Sequence, residues 1–258
     1  MLLHLNQAIL QDCVREFMAP EDTAAIRGTS KEGRDVFLIP ARLSVRSITT
    51  TSTSFWEWVH TSLTHGRLRI NLLLLAAERG SVELATWAFK KGYELSSLVG
   101  VTAAINGHLG VLQWARTNGC PWDEWTCTNA AYGGHMEVVQ WAHDNGCPWS
   151  ENTCAYAAKG GHLHILEWLH LNGCPWDVWT CHFAASSGRL DVLQWARANG
   201  CPWDEATCVY AARGGRLKVL QWARSHGCPW DKWTCYSASA GGHLDVLQWA
   251  RTNGCPWN

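Results

Sequence analysis

The chain has 258 residues, with 21 basic and 22 acidic side chains and a net charge of −1. Such a balance builds no broad positive field for nucleic acid or for an anionic membrane surface. The chain is 47% hydrophobic and only 17% charged, which is enough apolar material to fold, yet no apolar run reaches the roughly 18 residues of a membrane span.

The start, Met1-Leu2-Leu3-His4-Leu5-Asn6, has no basic n-region and no small-residue cleavage site, so no signal peptide is expected. Residues 1–40 are expected to be a small helical segment. Ile9, Leu10, Val14, Phe17 and Met18 form one helical stripe, and Pro20-Glu21-Asp22 opens a second helix. Residues 41–54, ending Ile48-Thr49-Thr50-Thr51-Ser52-Thr53-Ser54, have the composition of a linker. Phe55, Trp56, Trp58 and Val59 then suit a capping helix or half a repeat. The stretch Val14-Arg15-Glu16-Phe17-Met18-Ala19-Pro20-Glu21-Asp22, followed by Ile26 to Asp35, resembles a degenerate F-box over roughly residues 4–38. It departs from that family at Leu5-Asn6, where Leu-Pro is usual, and at Gly33, where a Trp is usual. The resemblance implies that Val14, Phe17, Met18, Pro20 and Ile26 dock a Skp1-like adaptor. The repeats would then select a protein for ubiquitination. The other reading of these residues is an irregular helical cap.

Residues 55–258 are organised by one period. Cys120, Cys147, Cys174, Cys201, Cys228 and Cys255 follow each other at 27-residue steps, each continued by Pro-Trp. Cys127, Cys154, Cys181, Cys208 and Cys235 keep the same step, as do seven Trp from Trp87 to Trp249 and seven Gly from Gly80 to Gly242. Seven units result, the first two degenerate. Within a unit, Asp123 suits an N-cap, Cys127, Ala130 and Ala131 supply a narrow helix face, and Gly133-Gly134 ends that helix. Met136, Val138, Val139 and Ala142 stripe a second helix, which Asn145-Gly146 and Pro148 terminate. One such pair cannot bury its apolar face alone, but stacked pairs can.

The run Ala130-Ala131-Tyr132-Gly133-Gly134-His135-Met136-Glu137-Val138-Val139 and its counterparts resemble ankyrin repeats. The match is closest to short Cys-Pro-Trp variants of algal and large-DNA-virus type. The expected fold is an all-α, ankyrin-type helix-turn-helix solenoid of about seven stacked repeats. The unit is about six residues shorter than the family's, and Cys-Pro-Trp-Asp stands where a β-hairpin finger usually projects. Recognition is thereby shifted towards the helices.

The two cysteine series invite a metal reading, but six residues separate Cys120 from Cys127 and no Cys-x-x-Cys occurs. They are read as small buried hydrophobes in a reducing, intracellular setting, cytoplasmic or nuclear, over disulfides or a stacked-thiol site. His108, His135, His162 and His243 share a register with Arg189 and Arg216, which neither a ligand nor a general base would tolerate. They are read as structural. The Trp rows are read as stacking residues, since full burial of one contributes on the order of 4–6 kcal/mol. No lone nucleophile and base stand outside the repeats, so neither enzyme activity nor a cofactor is expected.

Positions that change between units can meet a partner. On the first helix, Glu124, Trp125, Thr128 and Tyr132 become Asn152 and Lys159, then Trp179 and His182, then Arg213, then Trp233 and Tyr236. The ankyrin resemblance implies that this helix lines a concave surface that binds proteins. The expected partner is a protein, with no nucleic acid and no membrane. The last unit, ending at Asn258, keeps the residues of an internal repeat, so an exposed apolar end is expected.

Overall fold

Asp123 starts the helix that follows it. Its carboxylate accepts the Trp125 N–H at 3.0 Å and so satisfies one of the donors that a helix start leaves unpaired. Asp177, Asp204 and Asp231 repeat the arrangement on Trp179, Ala206 and Trp233. Ser150 holds the same place differently, with its own N–H donating to the Thr153 hydroxyl at 3.3 Å.

The computed structural model describes residues 71–257. Among them are fourteen α-helices and no strand: α1 (Leu72–Arg79), α2 (Val82–Lys90), α3 (Ser97–Ile105), α4 (Leu109–Thr117), α5 (Glu124–Gly133), α6 (Met136–Asp144), α7 (Glu151–Gly160), α8 (Leu163–Leu171), α9 (Val178–Ser187), α10 (Leu190–Ala198), α11 (Glu205–Arg213), α12 (Leu217–Ser225), α13 (Lys232–Ala240) and α14 (Leu244–Thr252). The F-box-like segment, the linker and the helix proposed at residues 55–66 lie outside the described residues. The described residues fall into two compact units, one holding 71–75 and 83–93, the other 76–82 and 94–257.

In the second unit the first helices of successive repeats pack on one another, α3 on α5, then α7, α9, α11 and α13 in turn. Thr126, Cys127, Ala130 and Ala131 are fully buried there, and each is small enough to let two helix backbones approach closely. Each second helix packs against its own first helix through a stripe such as Val138, Val139 and Ala142. Together these repeats form an all-α helical solenoid.

The histidine register hooks one repeat to the one before. His135 Nε2 donates to the Ile105 carbonyl at 3.0 Å, His162 to Tyr132 at 3.1 Å and His243 to Arg213 at 3.1 Å. Arg216 Nε does the same to Ser186 at 3.1 Å, which is why Arg can replace His in this register. The preceding repeat's glycine makes room for the hook. A Cβ on Gly134 would stand 2.5 Å from His162 Cε1, and Gly134 has φ 85°, a left-handed backbone that L side chains adopt with strain.

The Cys-Pro-Trp loops add two further ties. Each cysteine thiol reaches back to the carbonyl of its own repeat's N-cap residue, as Cys147 does to Asp123 at 3.4 Å and Cys228 to Asp204 at 3.3 Å. Each loop Trp from Trp122 to Trp230 lies between an Arg or His of the preceding second helix and a Trp of the following one. Arg197 stacks over Trp203 at 4.2 Å, and Trp203 meets Trp222 edge-on at 5.9 Å. His143 stacks on Trp149 at 3.8 Å in the same manner. These Trp are half-buried rather than enclosed, so each contributes less than full burial would give. On the last pair, Leu244 and Trp257 are exposed.

Two glycine variants separate these causes. Gly146 has φ 76° with nothing near its would-be Cβ. Gly146→Ala is expected to lose about 1–2 kcal/mol from left-handed strain alone. Gly134→Ala pays the same strain and also displaces the His162 ring, so its urea midpoint falls further. Equal losses would contradict the hook.

Candidate interaction face

A first helix is buried where it meets its neighbours and its own second helix. Its remaining side carries a continuous run of aromatic rings. Trp125 meets Tyr156 edge-on at 6.0 Å, and Tyr132 meets the same ring at 6.0 Å. Tyr156 meets Phe183 at 5.4 Å, Phe183 meets Trp179 at 5.5 Å, and Trp179 reaches Tyr210 at 5.8 Å. The run therefore crosses α5, α7, α9 and α11. A separate pair, Trp233 and Tyr236 at 5.5 Å, occupies α13. Lys159 Nζ lies over three rings of the run, 5.1 Å from Tyr156, 5.1 Å from Phe183 and 5.7 Å from Tyr132.

Most residues singled out from the sequence lie on this side. Trp125, Tyr132, Trp179, Trp233 and Arg213 are exposed, and Glu124, Asn152 and Lys159 are half-buried; Tyr236 is exposed too, but in the register of Thr128 and His182. Thr128 and His182 are buried instead. The Thr128 hydroxyl shares a 3.1 Å hydrogen bond with the Thr153 hydroxyl, joining α5 to α7. His182 Nε2 lies 2.7 Å from Asp204 Oδ1 and its ring stacks on Tyr210, joining α9 to the cap of α11. The outward row runs i, i+4, i+7 through residues 125, 129 and 132. Residue 128 faces the next repeat. Three central residues, Tyr156, Phe183 and Tyr210, were missed in the sequence. Their signal was present: an aromatic side chain recurs there at the 27-residue step. The adaptor-docking residues Val14, Phe17, Met18, Pro20 and Ile26 lie outside the described residues.

The thiols belong to the core. All eleven described cysteines are free and buried, and among the described residues no group of three or more His, Cys, Asp or Glu is arranged to hold a metal. Cys127 and Cys147 pack together with Ala142, and Cys235 with Cys255 and Ala250. A hydrogen bond to Cys147, together with burial, holds the Cys127 thiol far above its ordinary value, and Cys154, Cys181 and Cys208 are raised in the same way. The accepting partners Cys147 and Cys228 are held below theirs by that same hydrogen bond.

Residues 127–170 and 154–197 match the family model for ankyrin repeats in many copies. The solenoid is similar to ankyrin repeats over residues 127–197. Its helix pairs are similar to the crystal structure of the human ASB11 ankyrin repeat domain. That likeness has 17% identity over 61% of this chain and 84% of that one, with a TM-score of 0.49. No curated protein sequence matches the chain. Among the described residues, no helix is long and apolar enough to cross a membrane. Ankyrin repeats are generally protein-interaction modules.

The raised thiols give a pH dependence with a definite sign. Unfolded cysteines ionise around pH 8.5, whereas Cys127, Cys154, Cys181 and Cys208 stay protonated in the fold. Above that pH the folded chain holds more protons than the unfolded one, so stability falls as pH rises. The urea midpoint should drop between about pH 8.5 and 9.5, less so in Cys127→Ala/Cys154→Ala, while the lowered Cys147 and Cys228 act in the opposite sense below that interval. A midpoint that rises over that interval would contradict the protonated-thiol core.

Proposed function

We propose that the protein binds another protein through the outward side of its first helices and carries out no chemistry of its own. The observation that supports this is the aromatic run from Trp125 to Tyr210. It sets aromatic rings across four helices, with Trp125, Tyr132 and Trp179 exposed, where the stacking residues beneath repeat almost unchanged. Exposed Trp and Tyr clustered at one place are what protein interfaces use as anchors. The second helices offer no comparable patch, since Glu137, His164, Asp191 and Lys218 there are exposed and polar. Balanced charge favours a protein partner over nucleic acid or a membrane. Free, buried thiols favour a reducing compartment inside the cell, cytoplasmic or nuclear.

A second reading rests on the F-box-like residues alone. In it, Val14, Phe17, Met18, Pro20 and Ile26 engage a Skp1-like adaptor, and the aromatic side selects the protein to be ubiquitinated. The full chain should then retain purified Skp1-like adaptor and lose it on Phe17→Asp. Retention of none by the unaltered chain would leave the binding module alone.

The primary reading predicts a specific loss. Full-length protein and its Trp125→Ala/Trp179→Ala/Trp233→Ala variant are compared in quantitative pull-downs from the same extract. Interface anchors commonly cost about 2 kcal/mol or more when truncated, so the captured partner should fall at least roughly tenfold. Glu137→Ala/Asp191→Ala on the second helices should leave capture unchanged. The reverse pattern would move the binding surface to the other side of the repeats.

A further inference from the structure

The aromatic run is bordered by charge of opposite sign along its two edges. Glu124, Glu151 and Glu205 are the first residues of α5, α7 and α11, and Asp123, Asp177, Asp204 and Asp231 cap the helices along the same edge. Lys159 and Arg213 stand in the last turns of α7 and α11, on the opposite edge. None of the three glutamates or the two cations forms an ion pair within the described residues. The first position is Val178 on α9 and Lys232 on α13, so the glutamates do not continue there.

The width between these edges selects the occupant's form. A first helix has nine or ten residues. At about 1.5 Å per residue the strip is about 13–15 Å wide, close to the roughly 10–12 Å diameter of an α-helix with its side chains. An extended strand, which leaves only about 4.8 Å to its neighbour, would cover less than half of it. Resting on the binding role proposed above, we infer that the docked segment is an amphipathic α-helix of the partner protein. It lies along the stack, with carboxylates on the side facing Lys159 and Arg213 and cations on the side facing Glu124, Glu151 and Glu205.

The dimensions fix its pattern. Neighbouring first helices at the usual spacing of about 8–10 Å put α5 and α13 about 32–40 Å apart, the length of about 21–27 helical residues. Lys159 and Arg213 are two repeats apart. They therefore match carboxylates separated by about 11–13 residues, roughly three turns of the partner helix. Leu, Ile or aromatic side chains between the two charged rows would meet Tyr156, Phe183, Trp179 and Tyr210.

Three synthetic 25-residue helical peptides with one apolar strip test this. The first carries Glu along one edge of the strip and Lys along the other, the second Lys on both, the third Glu on both. Binding to the full chain is read by fluorescence anisotropy at low salt. The mixed peptide is expected to bind about tenfold more tightly than either single-sign peptide, a difference of about 1.4 kcal/mol. Arg213→Glu, an exposed change with folding checked by circular dichroism, should move the preference towards the all-Lys peptide. Glu205→Lys should move it towards the all-Glu peptide. Equal affinity for all three, an unmoved ranking in both variants, or binding of none would overturn the inference. A partner captured by the full chain and lost with the three Trp→Ala changes, alongside silent peptides, leaves the protein-binding role standing and removes the helix.

Discussion

The stack depends on how closely one first helix can approach the next. Thr126, Cys127, Ala130 and Ala131 and their counterparts set that distance, because each is small and fully buried between neighbours. Close approach brings the turn of one repeat against the turn of the one before, and only there does a His or Arg reach back to the earlier helix's last carbonyls. That same approach is what a Cβ on Gly134 would obstruct. Replacing any of the small residues by a larger one would push apart the helices that the hooks, the thiols and the Trp loops all assume to be adjacent.

Stack and surface use different residues of the same short helix. Of the ten residues of α5, five are buried for stacking, while Trp125 and Tyr132 stay exposed. A change at the outward positions leaves the small-residue seam untouched, so repeats can keep one architecture while their surfaces diverge. The chain shows this internally. Tyr132, Lys159, Ser186, Arg213 and Ala240 occupy one equivalent outward place, whereas Cys127, Cys154, Cys181, Cys208 and Cys235 occupy one buried place without variation. The Cys-Pro-Trp loops fasten the repeats along the other side of the stack. They tie down the N-caps and interleave Arg or His with Trp along the second helices.

Much of this was legible in the sequence because repetition exposes it. The period marked both helices, the Asp caps, the Gly turns and the buried cysteines, and replacement of His by Arg at residues 189 and 216 showed that the His register is structural. The partners of those side chains were not legible. The hook from His135 to Ile105 spans thirty residues, and nothing local specifies it. One register of the row singled out in the sequence, that of Thr128 and His182, is buried instead, because spacings of i+3 and i+4 both satisfy a helical stripe. Which of the two faces outward is decided by the angle at which the next repeat packs. Tyr156, Phe183 and Tyr210 were overlooked for the same reason.

The central claim is that the varied aromatic side binds while the repeated Trp rows only hold the stack. Uniform 5-fluorotryptophan labelling with 19F NMR distinguishes the two sets in the intact chain, with resonances assigned by single Trp→Phe changes. On adding a purified captured partner, Trp125, Trp179 and Trp233 should shift or broaden, while Trp149, Trp176 and Trp203 in the loops keep their positions. Movement of the loop resonances with the first-helix resonances unmoved would contradict the account.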